Sequence, residues 1–118
     1  MTRSNLHITL SNGEKFICVL DGSSAPEQGY FVEDILLPLL SFDNGDREMS
    51  LIKKHCTMGE RRANACYRYT VDLKTKDIRM FEEHYSYQKD VFRKGREITE
   101  RYTSYVQILN LKDHEKGS

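Results

Sequence analysis

Between Ala63 and Leu109 the chain alternates polar and apolar residues more regularly than anywhere else, and this alternation restricts the fold most. Ala65, Tyr67, Tyr69, Val71 and Leu73 fall on one face of an extended run, with Asn64, Cys66, Arg68, Thr70 and Asp72 on the other. A period of two, rich in aromatic and β-branched residues, is the pattern of a half-buried strand. A second run, Ile78 to Tyr87, folds back through Lys74-Thr75-Lys76-Asp77. Setting Lys74 opposite Asp77 places Asp72 opposite Arg79 and Arg68 opposite Glu83, three complementary pairs from one register. Each is worth about 0.2–1 kcal/mol, so they mark the register rather than hold the hairpin. Thr75-Lys76 is not a favoured type I′ pair and is the weak point of this reading.

The same register sets Leu73 opposite Ile78 and Val71 opposite Met80, an apolar face near the turn. Farther along, that face becomes polar, with Tyr69 opposite Glu82 and Tyr67 opposite His84. A third run, Glu97 to Leu109, is expected to complete the meander, turning Ile98, Tyr102, Ser104, Val106 and Ile108 inward. It is reached through a basic loop, Lys89 to Arg96, that contains Gly95.

Upstream, Leu6, Ile8 and Leu10 alternate with polar neighbours, and Ser11-Asn12-Gly13-Glu14 separates them from Lys15 to Leu20. Asn-Gly between two such runs predicts a hairpin, because both central residues of a type I′ turn need positive φ. Ser24-Ala25-Pro26-Glu27 reads as a capping box opening a helix. In that helix Phe31, Val32, Ile35, Leu36, Leu39 and Leu40 form an apolar stripe. Pro38 is expected to kink or end it near Leu37. Asp43 to Glu48 reads as a polar turn, and Met49 to Met58 as a short helix closed by Gly59, with a poorly patterned strand as the competing reading.

These elements predict an α+β fold: an antiparallel sheet of about five strands packed against one main helix. The strands are the N-terminal hairpin and the C-terminal three-stranded meander. Residues 1–111 form one domain, and 112–118 form a tail expected to fray. At 118 residues the chain is long enough for one modest core. The longest apolar run, Ile35 to Leu40, is far short of the roughly 20 residues a bilayer-spanning helix needs, so no membrane partner is expected. No charged-then-apolar leader opens the chain, and Cys18, Cys56 and Cys66 lack framework spacing; both features favour a cytoplasmic setting. Net charge is zero but divided: three basic and eight acidic residues through Ile52, fifteen basic and ten acidic from Lys53 onward.

Four constellations carry the functional candidates. Tyr67, Tyr69, Glu82, His84, Tyr102 and Ser104 would line a ligand pocket at the polar end of the inner face, where Glu82 and His84 form an acid–base couple. The plainer reading is a wet rim beyond a helix shorter than the sheet. Lys89, Arg93, Lys94 and Arg96, with Lys53, Lys54, Arg61, Arg62 and Arg101, would offer phosphate contacts to a nucleic acid; the plainer reading is a solvated face. The His and Cys residues lack paired metal-ligand spacing, so neither metal nor cofactor is expected.

Finally, Arg68, Phe81, Tyr85, Tyr87 and Tyr105 fall on the charged outer face, and aromatics beside arginines are what interface cores are enriched in. The leading expectation is therefore an intracellular protein–protein interaction module without an enzymatic motif, docking on another protein or on itself. A nucleic-acid accessory protein and a small-ligand binder are the alternatives.

Overall fold

The computed structural model describes residues 2–117, and side chains through residue 112. In chain order the elements are β1 (Ser4–Thr9), β2 (Lys15–Leu20), α1 (Gly29–Phe31), a π-helical turn (Val32–Leu36), α2 (Leu37–Phe42), α3 (Gly45–His55), β3 (Thr57–Met58), β4 (Tyr67–Asp72), β5 (Asp77–Ser86), β6 (Val91–Glu97) and α4 (Thr99–Gly117). The fold is α+β, but the sheet is six-stranded and mixed, in the order β3-β2-β1-β4-β5-β6. β1 and β4 run parallel at its centre, Leu6 beside Tyr69 and Ile8 beside Val71. This replaces the purely antiparallel sheet of about five strands.

The alternation of β1 sends Leu6, Ile8 and Leu10 into a core shared with Phe31, Val32, Ile35, Leu36 and Leu39 of the helical stretch and Ile52 of α3. Asn5 and His7 therefore lie on the opposite face. The hairpin of β1 and β2 forms as expected, with Leu6 opposite Cys18. Its turn is longer than a two-residue type I′: Leu10 donates to Glu14 O at 2.8 Å, Gly13 donates to Leu10 O at 2.9 Å, and of Asn12 and Gly13 only Gly13 has positive φ, +92°.

Ser24 does not cap a helix. It is buried against Ser4, whose hydroxyl donates to Ser24 O at 3.0 Å, so α1 starts only at Gly29. Pro38 does not end the helical stretch either. Its ring crowds the carbonyl four residues back, and the helix widens ahead of it, Leu37 donating to Val32 O across a π turn. Asn44-Gly45 is not a turn; Asn44 caps α3, its side chain accepting from Arg47 N at 3.0 Å. The stretch from Met49 to Met58 contains both readings, helix to His55 and strand at Thr57–Met58, and Gly59 does not close the helix.

The meander differs most from expectation. The third strand is β6, formed from what reads as a basic loop, whereas Thr99–Gly117 is helical. Residues 112–117, expected to fray, continue α4; residue 118 and the side chains from 113 on lie outside the description. Ile98 and Tyr102 are buried, and Tyr105, Val106 and Leu109 pack against the core at helical spacing. In the hairpin of β4 and β5, Val71 lies opposite Ile78 and Tyr67 opposite Glu82, two residues from the charge-based register. The faces survive because the displacement is even. The turn explains the displacement: the Asp72 carboxylate accepts from Lys74 N at 2.9 Å, and Lys76 takes a left-handed φ of +62°.

One crossing is unusual. β3 lies at the far edge beside β2, and β4 on the other side of β1, so residues 59–66 must cross the sheet. They do so over the face away from the helices. Gly59 donates to Ile17 O at 2.9 Å and Cys66 to Arg3 O at 2.9 Å, tying both ends of this strap.

At the opposite corner the buried Glu48 carboxylate joins the first turn to α3, accepting from Ser11 N at 2.9 Å, Asn44 N at 3.2 Å and the Ser11 hydroxyl. Glu48→Ala would leave these part-buried donors without their charged partner. Loss of about 3 kcal/mol is expected, read as a lower urea midpoint with unchanged slope.

Candidate functional site

A strap of backbone lying across a sheet needs partners for its own N–H and C=O groups, because neither can reach water on its buried side. Asn5 supplies them. Its Oδ1 accepts from Arg62 N at 2.7 Å, and its Nδ2 donates to Arg62 O at 3.1 Å. The same Nδ2 donates to Glu83 Oε2 at 2.9 Å. The Glu83 side chain is fully buried, and Arg68 reaches it with Nε at 3.1 Å and Nη2 at 2.9 Å. Arg68 and Glu83 thus meet, although diagonally rather than directly opposite. Asp72–Arg79 and Lys74–Asp77 do not form: Arg79 turns to Asp77 at 3.4 Å and to Glu97 at 4.0 Å.

His7 lies beside this network, opposite Thr70, with its Nε2 buried and without a hydrogen-bond partner. Burial holds its pKa below the ordinary value; the Arg68 and Arg61 cations add to this and Glu83 opposes it. A groove of about 560 Å³ opens next to it on the outer face, lined by His7, Thr9, Lys15, Ile17, Gly59 and Thr70.

Beyond the network the sheet narrows to two strands. β4 pairs only as far as Tyr67 with Glu82, yet β5 and β6 continue through His84–Arg93, Tyr85–Phe92 and Ser86–Val91. The result is a projecting arm. On its outer face Tyr85 meets Tyr87 edge-on at 4.8 Å and Phe92 at 4.7 Å. Arg61 of the strap lies 4.3 Å over the Phe92 ring, and Lys94 lies 4.5 Å over Phe81. Tyr87 is 76% exposed. Tyr85 donates its hydroxyl to Asp90, which fixes the turn at the tip.

Of the residues expected on the outer face, Arg68, Phe81, Tyr85 and Tyr87 are there. Arg68 is committed to Glu83, and Phe81 is buried beneath Lys94. Tyr105 is not; it belongs to α4 on the other side of the sheet, near Glu33. Sequence reading passes over Asn5, counts Arg61 only among the basic residues and His7 only among metal ligands without paired spacing, since their roles here follow from a strap that no local pattern announces.

The expected inner pocket is largely filled. Tyr69 is fully buried, stacked on Phe31 at 4.9 Å, and donates its hydroxyl to Ser24 O. Tyr102 is buried too. Tyr67 carries the Arg101 guanidinium at 5.3 Å, and Arg101 donates through Nε to Glu27 at 2.8 Å, which holds the Glu27 carboxyl below its usual range. Ser104 is exposed on α4.

The side chains of Glu82 and His84 share a face, and among the described residues no side-chain hydrogen bond joins them or ties either to a third group. His84 instead packs on Gly95, where a Cβ would come within 2.4 Å of its ring. It borders a small cleft of about 180 Å³ with Tyr85, Ser86, Lys89 and Arg93.

Lys89 sits in the turn at the arm's tip, and Arg93, Lys94 and Arg96 lie on β6 rather than in a loop. Among the described residues none of these four has a carboxylate within ion-pair distance. No three His, Cys, Asp or Glu residues converge as metal ligands among the described residues. No described helix is long and apolar enough to cross a membrane.

Arg68→Leu leaves Glu83 charged and buried, and costs about 3 kcal/mol; in a Glu83→Gln background the same change costs much less, a coupling read from a urea double-mutant cycle. Protonation of His7 is favoured in the unfolded chain, because its folded pKa is depressed. Stability is therefore lost as pH falls below about 6.5, and His7→Gln flattens that slope in a pH series of urea midpoints.

No family model matches the chain, and no curated protein and no solved structure matches it, so its own surface carries the functional argument.

Proposed function

We infer that the protein is a protein-binding module whose contact surface is the arm formed by the ends of β5 and β6. The observation that carries this reading is the aromatic cluster Tyr85, Tyr87 and Phe92 on a two-stranded extension past the end of β4. A two-stranded ribbon gains little stability for the domain it leaves. Tyr and Arg side chains together dominate the centres of protein interfaces, and here Arg61 is already set over Phe92.

A nucleic-acid surface would need open ring faces on which bases stack. The outer faces of Phe92 and Phe81 are instead covered by Arg61 and Lys94. On the arm, Tyr87 offers the most exposed aromatic ring of the cluster. Protein docking fits this arrangement better, because an edge of an aromatic cluster and a stacked guanidinium both suit a polypeptide partner.

The test uses the folded chain immobilised as bait, with the Tyr87→Ala variant beside it and native-host extract as the source of partners. A partner held by the wild type is expected to bind at least about 30-fold more weakly to Tyr87→Ala, the loss of a side chain at an interface centre. Solution mass across a concentration series separates self-association from binding to another protein. Salt-sensitive retention on single-stranded nucleic acid that is indifferent to Tyr87→Ala, with no protein retained, would overturn the reading.

A further inference from the structure

The outer edge of β6 is open. β6 ends the sheet, so one side of its backbone has no neighbouring strand. Which amides face that side follows from the ladder. Glu83 donates to Cys66 O on the β4 side at 3.0 Å, so the alternation turns His84 toward β6. Arg93, opposite His84, must then face β5, and the N–H and C=O groups of Phe92 and Lys94 point outward. An open edge of this kind is a template for another extended chain.

The side chains limit which chain that is. Arg93, Lys94 and Arg96 lie along the edge strand, Lys89 sits at the arm's tip, and Glu97 is the strand's only acid. Like charges set against each other across a ladder are destabilising. A second copy of β6 would bring three more cations to the same seam, which disfavours edge-to-edge pairing of identical chains. A nucleic acid would match the charge but has no alternating amide donors and acceptors for Phe92 and Lys94. An acidic polypeptide in extended conformation meets both demands.

We propose that β6 accepts an acidic extended segment of a partner protein as a seventh strand, its backbone bonded to Phe92 and Lys94 and its carboxylates set against Arg93, Lys94 and Arg96. This rests on the protein-binding reading of the arm and names the chemistry of the partner. Backbone bonds supply the affinity, and the cations select against neutral and basic strands.

The test uses a fluorescein-labelled eight-residue peptide in which glutamate pairs alternate with threonine–valine pairs, so that an extended strand carries carboxylates on both faces, followed by fluorescence polarisation. Lys94→Pro removes the outward N–H while leaving the bonds to β5, a place where an edge strand tolerates proline. Lys94→Ala removes the charge and the cover over Phe81 but keeps the outward N–H. Lys94→Pro is expected to weaken binding by about tenfold beyond Lys94→Ala, and N-methylation of alternate peptide amides to weaken it by at least about tenfold. Amide hydrogen exchange on the wild type gives a second readout that needs no variant: peptide should slow exchange at Phe92 and Lys94.

Equal affinity of the methylated and unmethylated peptides would reduce the interaction to charge alone and overturn the proposal. So would unchanged exchange at Phe92 and Lys94, or no saturable binding. Such a failure leaves the docking role of the aromatic cluster standing, since Tyr87→Ala tests that role separately.

Discussion

The side-chain amide of Asn5 holds the two halves of the molecule together. It pairs with Arg62, 57 positions away, as one peptide group pairs with another, and with Glu83, 78 positions away. Without it the strap would leave part-buried backbone groups of Arg62 unpaired, and the route from β3 to β4 would lose its main tie to β1. The contacts around Glu83 and the strap follow from this bond. The strap brings Arg61 over the arm, buries Glu83, and so fixes Arg68.

The two faces of the sheet consequently differ in kind. The inner face is a packed core in which even its tyrosines are used structurally, Tyr69 between Phe31 and Tyr67. The outer face is held by directional bonds among charged and amide groups, which are weak individually but geometrically specific. The contact surface proposed above needs to keep its shape without being filled. The network around Asn5 and Glu83 provides that rigidity, and the aromatic cluster lies immediately beyond it.

Much of this was legible in the residues, and the reasons for the rest are physical. Alternation in β1, β4 and β5 assigned the faces correctly, because a period of two depends only on local geometry. The register of β4 with β5 was two residues off, since the Asp72 carboxylate was used to fold the turn rather than to pair with Arg79. Ile98, Tyr102, Tyr105, Val106 and Leu109 fit a helix, yet Tyr102, Val106 and Ile108 also fit an alternating strand, and such short apolar sets do not separate the two. On the surface, Arg68, Tyr85 and Tyr87 were found on the side expected, whereas Tyr105 moved with its helix. The parallel pairing of β1 with β4 has no local signature at all, and Asn5, His7 and Arg61 acquire their roles only through it.

The strap also orders events in time. Neither β4 beside β1 nor the crossing segment above them can settle until remote parts of the chain have met, and such closures are entropically slow. The first hairpin, by contrast, closes through a turn a few residues long. The longest closure between paired strands therefore lies at the middle of the sheet rather than at its margins, and until it is made the two future central strands keep open edges.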